Sequence, residues 1–250
     1  MLLLQFGVYA QVTDAALFSN TTEPDHYEEL KNNFDSIFNN TIRLVTASAA
    51  DSNNYKTFIE NAYTIKEEVS GKYDVDVNIP LFNIESEILA GENERIKETY
   101  VTKLVSIVQK SERHTIYNVN YVAYLNDDVL SLVIRCKLKD KPDSPQRIMI
   151  ETINYDLKND KLLTLEDVIS IKGFKREDVQ DKIKKEIKTV SEQMEAISSP
   201  EYQVYQRDPK NSMYKIENTT EFFLGEEGIL YIIYPYGNRD FTSQRDIILY

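Results

Sequence analysis

The clearest periodic stretch of the chain begins at Lys175, where Val179, Ile183, Ile187, Val190 and Met194 recur at spacings of four, four, three and four. That repeat is one face of a long helix, which the Ser198-Ser-Pro200 break ends. A second stripe, Ile96, Tyr100, Leu104, Ile107 and Val108, predicts a helix over 93–108 lying across a sheet. Tyr27, Leu30, Phe34, Ile37 and Phe38 form a third. It opens at Thr22-Glu-Pro-Asp, with the proline near the first turn and acids at the positive end of the helix dipole.

Elsewhere the period changes to two. From 63 to 82 the pattern is extended, with Tyr73, Val75 and Val77 alternating with Asp74 and Asp76 until Pro80, which is expected to interrupt the ladder. Residues 114–125 and 128–138, rich in Val, Ile, Tyr and Leu and joined at Asn126-Asp127, predict an antiparallel hairpin. Leu130, Leu132, Ile134, Cys136 and Leu138 share one face of the second strand. Ser131, Arg135, Lys137 and Lys139 share the other, which is expected to meet solvent. After a proline-bearing turn at 140–147, residues 148–157 read as a strand ending at Lys158-Asn-Asp-Lys161. Thr164, with Asp167 three residues on, can cap a short helix. Residues 46–54 read as a loop and 200–218 as a connecting segment of modest order. Gly225-Glu-Glu-Gly228 makes a tight turn before 229–234, which is apolar on both faces and so a central strand. The expected fold is α+β, with helices packed on antiparallel sheet. A helix followed by strands at both 93–138 and 175–234 suggests two related α+β halves.

Composition narrows the function classes. The 250 residues, 42% of them apolar, include 17 tyrosines and 10 phenylalanines, enough to fill a core. Twenty-nine basic against 41 acidic residues give a formal net charge of −12, which repels a phosphate backbone and favours a cationic partner. The charge also serves solubility. Nucleic acid is therefore not expected as a ligand. One cysteine, Cys136, excludes an internal disulfide and a multi-cysteine metal site, and its place on an apolar strand face suits a small buried hydrophobe. The first ten residues, Met-Leu-Leu-Leu-Gln-Phe-Gly-Val-Tyr-Ala, look like the end of an export segment lacking its positive region. Their alternative is a first buried strand or helix.

Taken in order, Asn154-Tyr-Asp-Leu-Lys-Asn-Asp-Lys-Leu-Leu-Thr-Leu-Glu-Asp167, Phe222-Phe-Leu-Gly-Glu-Glu-Gly228 and Tyr234-Pro-Tyr236 resemble the strand, turn, capped helix and closing hairpin of a bacterial cell-envelope family. This is the tandem DUF4163/DUF3298 family, found in the external part of RsiV-type anti-sigma factors and beside some peptidoglycan deacetylases. The resemblance covers about 63 to 250. It implies a DUF4163-like domain at 63–140 and a DUF3298-like domain at 141–250, after a remnant of an export segment at 1–11 and a helical extension at 12–62. Many relatives carry a Gly-Gly-Ala-His-Gly-like turn before the Asn-Tyr-Asp strand, where this chain has Lys139-Asp-Lys-Pro-Asp-Ser-Pro-Gln146.

The sequence offers no catalytic constellation. His26 and His114 stand far apart, seven glycines include no phosphate-cradling loop, and the pairs Asp74/Asp76, Asp127/Asp128 and Glu226/Glu227 lack calcium-loop spacing. No enzyme activity, metal or cofactor is expected. Tyr231, Tyr234, Tyr236, Asn238, Arg239 and Phe241 are the candidate partner-binding residues, since tyrosine and arginine combine contact area with directed polar groups. The other reading makes them a strand-end cluster finishing the core. The function expected is an extracytoplasmic binding or sensing module, with lysozyme as the cationic partner that the family implies. Two alternatives are an accessory domain binding peptidoglycan or another glycan, and a hydrolase using a carboxylate pair. Membrane attachment is expected only through a segment at the N-terminus.

Overall fold

The computed structural model describes residues 23–39, 58–197, 205–236 and 244–250. The expected export remnant at 1–11 and loop at 46–54 lie outside these. The chain divides into two compact units, Met1–Phe34 and Asp35–Tyr250. In the first, helix α1 (Glu23–Asn32) carries a Lys31–Glu28 ion pair of 3.0 Å one turn apart. The helical stripe read through Phe38 is broken after Asn32, where the chain tightens into a 3-10 turn, Phe34–Asn39.

The second unit is α+β, with two sheets. Strands β1 (Ile59–Val69), β2 (Tyr73–Phe82), β3 (Thr115–Asn126), β4 (Val129–Lys139), β5 (Arg147–Asp156) and β6 (Lys161–Leu162) form a six-stranded sheet in that order. The sheet is mixed rather than antiparallel throughout, because β2 and β3 run parallel from Tyr73↔Thr115 to Val77↔Val119. A parallel pair needs a long crossover, here a helix. It begins earlier than its stripe suggests: Ser86 accepts a hydrogen bond from the Leu89 amide at 3.3 Å and caps α2 (Glu87–Ile96). A π turn (Lys97–Val101) then leads into α3 (Thr102–Lys110). Leu89, Ile96, Tyr100, Leu104 and Ile107 are buried in one core with Val75, Val77, Val119, Leu132, Ile134 and Cys136. Burial pushes the Cys136 thiol up to about 12, as an inert hydrophobe requires.

Pro80 does not interrupt β2. It pairs with Asn61 beside a bulge in β1, and it lies past Val77, where β3 no longer needs an amide from β2.

The opposite face of β4 is covered, contrary to the expected solvated face. Ser131 and Val133 are fully buried and Arg135 is 5% exposed. Arg135 is covered by Asp35 and Phe38, while Lys137 and Lys139 stay half-exposed. The cover at Ser131 comes from the second layer, a three-stranded antiparallel sheet of β7 (Glu221–Leu224), β8 (Leu230–Tyr236) and β9 (Gln244–Leu249) with β8 central. Phe223 of β7 stacks on Tyr124 of β3 with ring centroids 5.5 Å apart. Two helices, α4 (Leu165–Ile171) and α5 (Arg176–Ile197), precede this sheet, and Val168, Val179, Ile183 and Ile187 join Ile232 and Ile248 in its core. Residues 205–218 are better ordered than their polar composition suggests, with Arg207, Tyr214 and Ile216 buried. The boundary expected at 140/141 falls inside a single sheet, since β4 and β5 pair from Leu138↔Arg147 to Val129↔Asp156.

Candidate binding surface

Of the six partner-binding residues expected from sequence, Tyr231, Tyr234 and Tyr236 are 5%, 3% and 3% exposed. Their rings are covered by the chain itself. Tyr231 stacks on Phe223 at 4.4 Å, over Gly225, where an added Cβ would stand 2.6 Å from the Tyr231 ring. The Tyr234 hydroxyl lies 3.0 Å from that of Thr219, and burial pushes the phenols of Tyr231 and Tyr234 up to about 12. Tyr236 donates to Asp246 and packs under the Arg207 guanidinium at 4.7 Å. Arg207 and Asp246, 4% and 8% exposed in their side chains, form a fork of 3.1 and 2.9 Å. Thirty-nine residues separate the two, so no local pattern announces the pair. Asn238, Arg239 and Phe241 lie outside the described residues.

Most strand edges inside the molecule end under side chains. The Asn93 amide of α2 both accepts from the Phe82 amide (2.8 Å) and donates to the Phe82 carbonyl (3.0 Å), imitating a neighbouring strand at the end of β2. Along β7, Phe222 N–H donates to the Thr152 hydroxyl (3.0 Å) and Leu224 N–H to the Ser131 hydroxyl (3.2 Å). Asn154 and Asn126 donate to the Phe222 and Leu224 carbonyls at 2.6 and 3.2 Å. Four side chains of the first sheet thus do for β7 what a backbone ladder does elsewhere.

Two surface features stand apart from this capping. The first is a cleft of about 280 Å³ along β5, flanked by Glu92, Arg95, Thr152, Thr220 and Phe222. Strand β6 pairs with β5 only at Tyr155 and Asp156, so the cleft opens on the remaining edge. Beside it Glu151 accepts from Tyr100 (2.6 Å) and pairs with Arg95, and Glu221 accepts from the Thr152 amide (2.7 Å) and hydroxyl (3.1 Å). Burial raises the Glu221 carboxyl above its ordinary range, against the pull of the Thr152 bonds and with help from Glu151.

The second feature is the outer edge of β1. This strand of 11 residues is exposed along nearly its whole length and is laddered only to β2 among the described residues. Tyr63 and Ile65, opposite Ile79 and Val77, sit on the helix-side face yet remain 39% and 36% exposed. The helix stops short of them, leaving a groove of about 370 Å³ floored by Ile79, Pro80 and Ile96 and walled by Tyr63, Glu94 and Lys97. On the other face Glu68 and Lys66 stand opposite Asp74 and Asp76. The Lys66 ammonium is held at 3.0 Å from Asp76, which raises its pKa. Strands β1 and β2 together carry five carboxylates, Glu60, Glu67, Glu68, Asp74 and Asp76, against the one lysine.

Fold and surface together define an α+β chain of two sheets that presents an acidic, half-apolar strand edge. Neither protein-family models nor curated proteins yield a match to its sequence. Among solved structures it is similar to the crystal structure of a DUF3298 family protein from Pseudomonas aeruginosa PAO1, with a TM-score of 0.45 and 11% identity, covering 76% of this chain and 86% of that one.

Proposed function

We propose that this protein is a non-enzymatic binding module on the outer face of a bacterial cell envelope, and that it captures a cationic protein such as lysozyme. The envelope setting rests on the sequence resemblance at 154–167 and 222–236. The observation that carries the binding is the rim formed by β1 and β2, where two exposed apolar side chains and three carboxylates stand on the unpaired edge of β1 and two more carboxylates stand on β2 beside it. A charge of −12 steers a basic protein toward it, and the apolar pair gives the encounter something to bury. The glycan alternative draws on Tyr231, Tyr234 and Tyr236, whose rings are already covered. The hydrolase alternative names no pair; Glu151 and Glu221, two acids beside the β5 cleft, are each tied to neighbours of their own.

Titration calorimetry with lysozyme, at low salt and at about 0.15 M, tests the proposal. A complex is expected that weakens as salt rises. Finding no heat in either salt removes lysozyme as the partner. Recovery of the protein from the cytoplasmic fraction of its host removes the envelope setting.

A further inference from the structure

The edge of β1 also says what form the partner takes, an inference that rests on the proposal above. Side chains cap β2 at Phe82, β7 at Phe222 and Leu224, and β5 at Thr152. From Tyr63 to Val69, past the bulge, β1 keeps a regular register with β2 and offers its outward backbone groups to no described neighbour. We propose that this edge takes up an extended segment of the partner as an added strand, and that the segment alternates apolar and basic residues.

The alternation follows from the two faces. In a strand laid beside β1, every second side chain falls next to Tyr63, Ile65 and Glu67 on the groove side, and the intervening ones fall next to Thr64, Lys66 and Glu68, with Asp74 and Asp76 of β2 behind them and Lys66 already paired with Asp76. Apolar residues suit the first set and Lys or Arg the second. A second copy of this chain suits neither role, because its own β1 would bring Glu60, Glu67 and Glu68 against the same acids. Charge on an edge is a common guard against self-pairing. Here the guard is net acidic, its one lysine being held by Asp76, so it turns away copies of the chain while admitting a cationic strand. The edge of β5 is the weaker candidate, since Glu221 already occupies the Thr152 amide and β6 pairs Tyr155 and Asp156.

The test uses the whole chain and a fluorescent synthetic peptide of about nine residues alternating Val and Lys. Two controls share its composition: one with the valines and lysines in separate blocks, one N-methylated at alternate amides. The alternating peptide is expected to bind at low salt, with each control weaker by about tenfold or more. Ile65→Lys and Glu68→Lys, both surface changes whose fold circular dichroism verifies, are expected to weaken it by a similar factor. Amide exchange should slow at residues 63–69. Equal binding of all three peptides, or slowed exchange confined to another region, overturns the added strand. If lysozyme binds and Ile65→Lys leaves its affinity untouched, this inference falls and the cationic-partner reading stands. If neither lysozyme nor any of the peptides binds, both fall.

Discussion

Thr164 and Asp167 satisfy each other at the start of α4. The Thr164 hydroxyl accepts from the Asp167 amide at 3.2 Å, and the Asp167 carboxylate accepts from the Thr164 amide at 2.9 Å. Bonds from Lys161 and Thr164 hold the Asp167 carboxyl down to about 2. Thr164→Ala should cost about 1 kcal/mol in urea unfolding near neutral pH. A lowered carboxyl pKa contributes stability that is complete above the unfolded value and lost as pH falls through the folded one. The deficit of the variant should therefore shrink between about pH 4 and pH 2. This cap was legible because its partners are three residues apart. The Arg207–Asp246 fork was not, and it is the costlier element to break. Asp246→Ala strands a buried guanidinium and leaves the Tyr236 hydroxyl only its Tyr214 partner, so about 3–5 kcal/mol of stability should be lost, measured by chemical denaturation. The same blindness to long-range contacts explains the tyrosines of β8. Sequence shows that Tyr231, Tyr234 and Tyr236 are clustered, while only the packing shows that Phe223, Thr219 and Asp246 have already claimed them.

Strands and helices were readable to the extent that their period was their own. The α5 stripe, the β3–β4 hairpin and the β7–β8 turn all follow from spacing and turn residues. What spacing left out was the partner of each face. The polar row of Asn126, Ser131, Thr152 and Asn154 looks like a solvated face, yet it is the seam on which β7 lies. Polar side chains fit a buried seam when each finds a backbone group, and these do. Asn154→Ala leaves the Phe222 carbonyl and the Ser131 hydroxyl short of a partner. The expected cost is about 1–3 kcal/mol, read from the urea midpoint. Asn154→Leu should be worse than Ala because it adds bulk to the same seam.

At the scale of the whole molecule, α+β was correctly read, while the parallel pairing of β2 and β3 was hidden in the length of their connection. The division expected at 140/141 looks natural in sequence, where prolines and charges mark a turn. In three dimensions the turn joins two neighbours of one sheet, and the face of β4 that carries Ser131 and Val133 is covered by what comes after it. A fragment ending at residue 140 would expose Leu132, Val133 and Ile134 along an unpaired edge. It should be insoluble or unfolded by circular dichroism, whereas the chain from 35 to 250 should unfold in one transition. The candidate surface was legible only as a charge. Alternating acids at 74 and 76 were visible, but an outer edge is a property of the sheet's order and of the helix's reach.

The π turn at Lys97–Val101 has an evolutionary meaning. Its hydrogen bonds span one residue more than those of an α-helix, which is the mark left when a single residue is inserted into a helix already packed on a sheet. Such a wide turn takes up one residue locally, and here it keeps Tyr100 and Leu104 under cover and leaves Glu98 and Thr99 in solvent. Sister sequences lacking one residue there can keep the same fold, so an alignment gap at this point should be placed inside the helix.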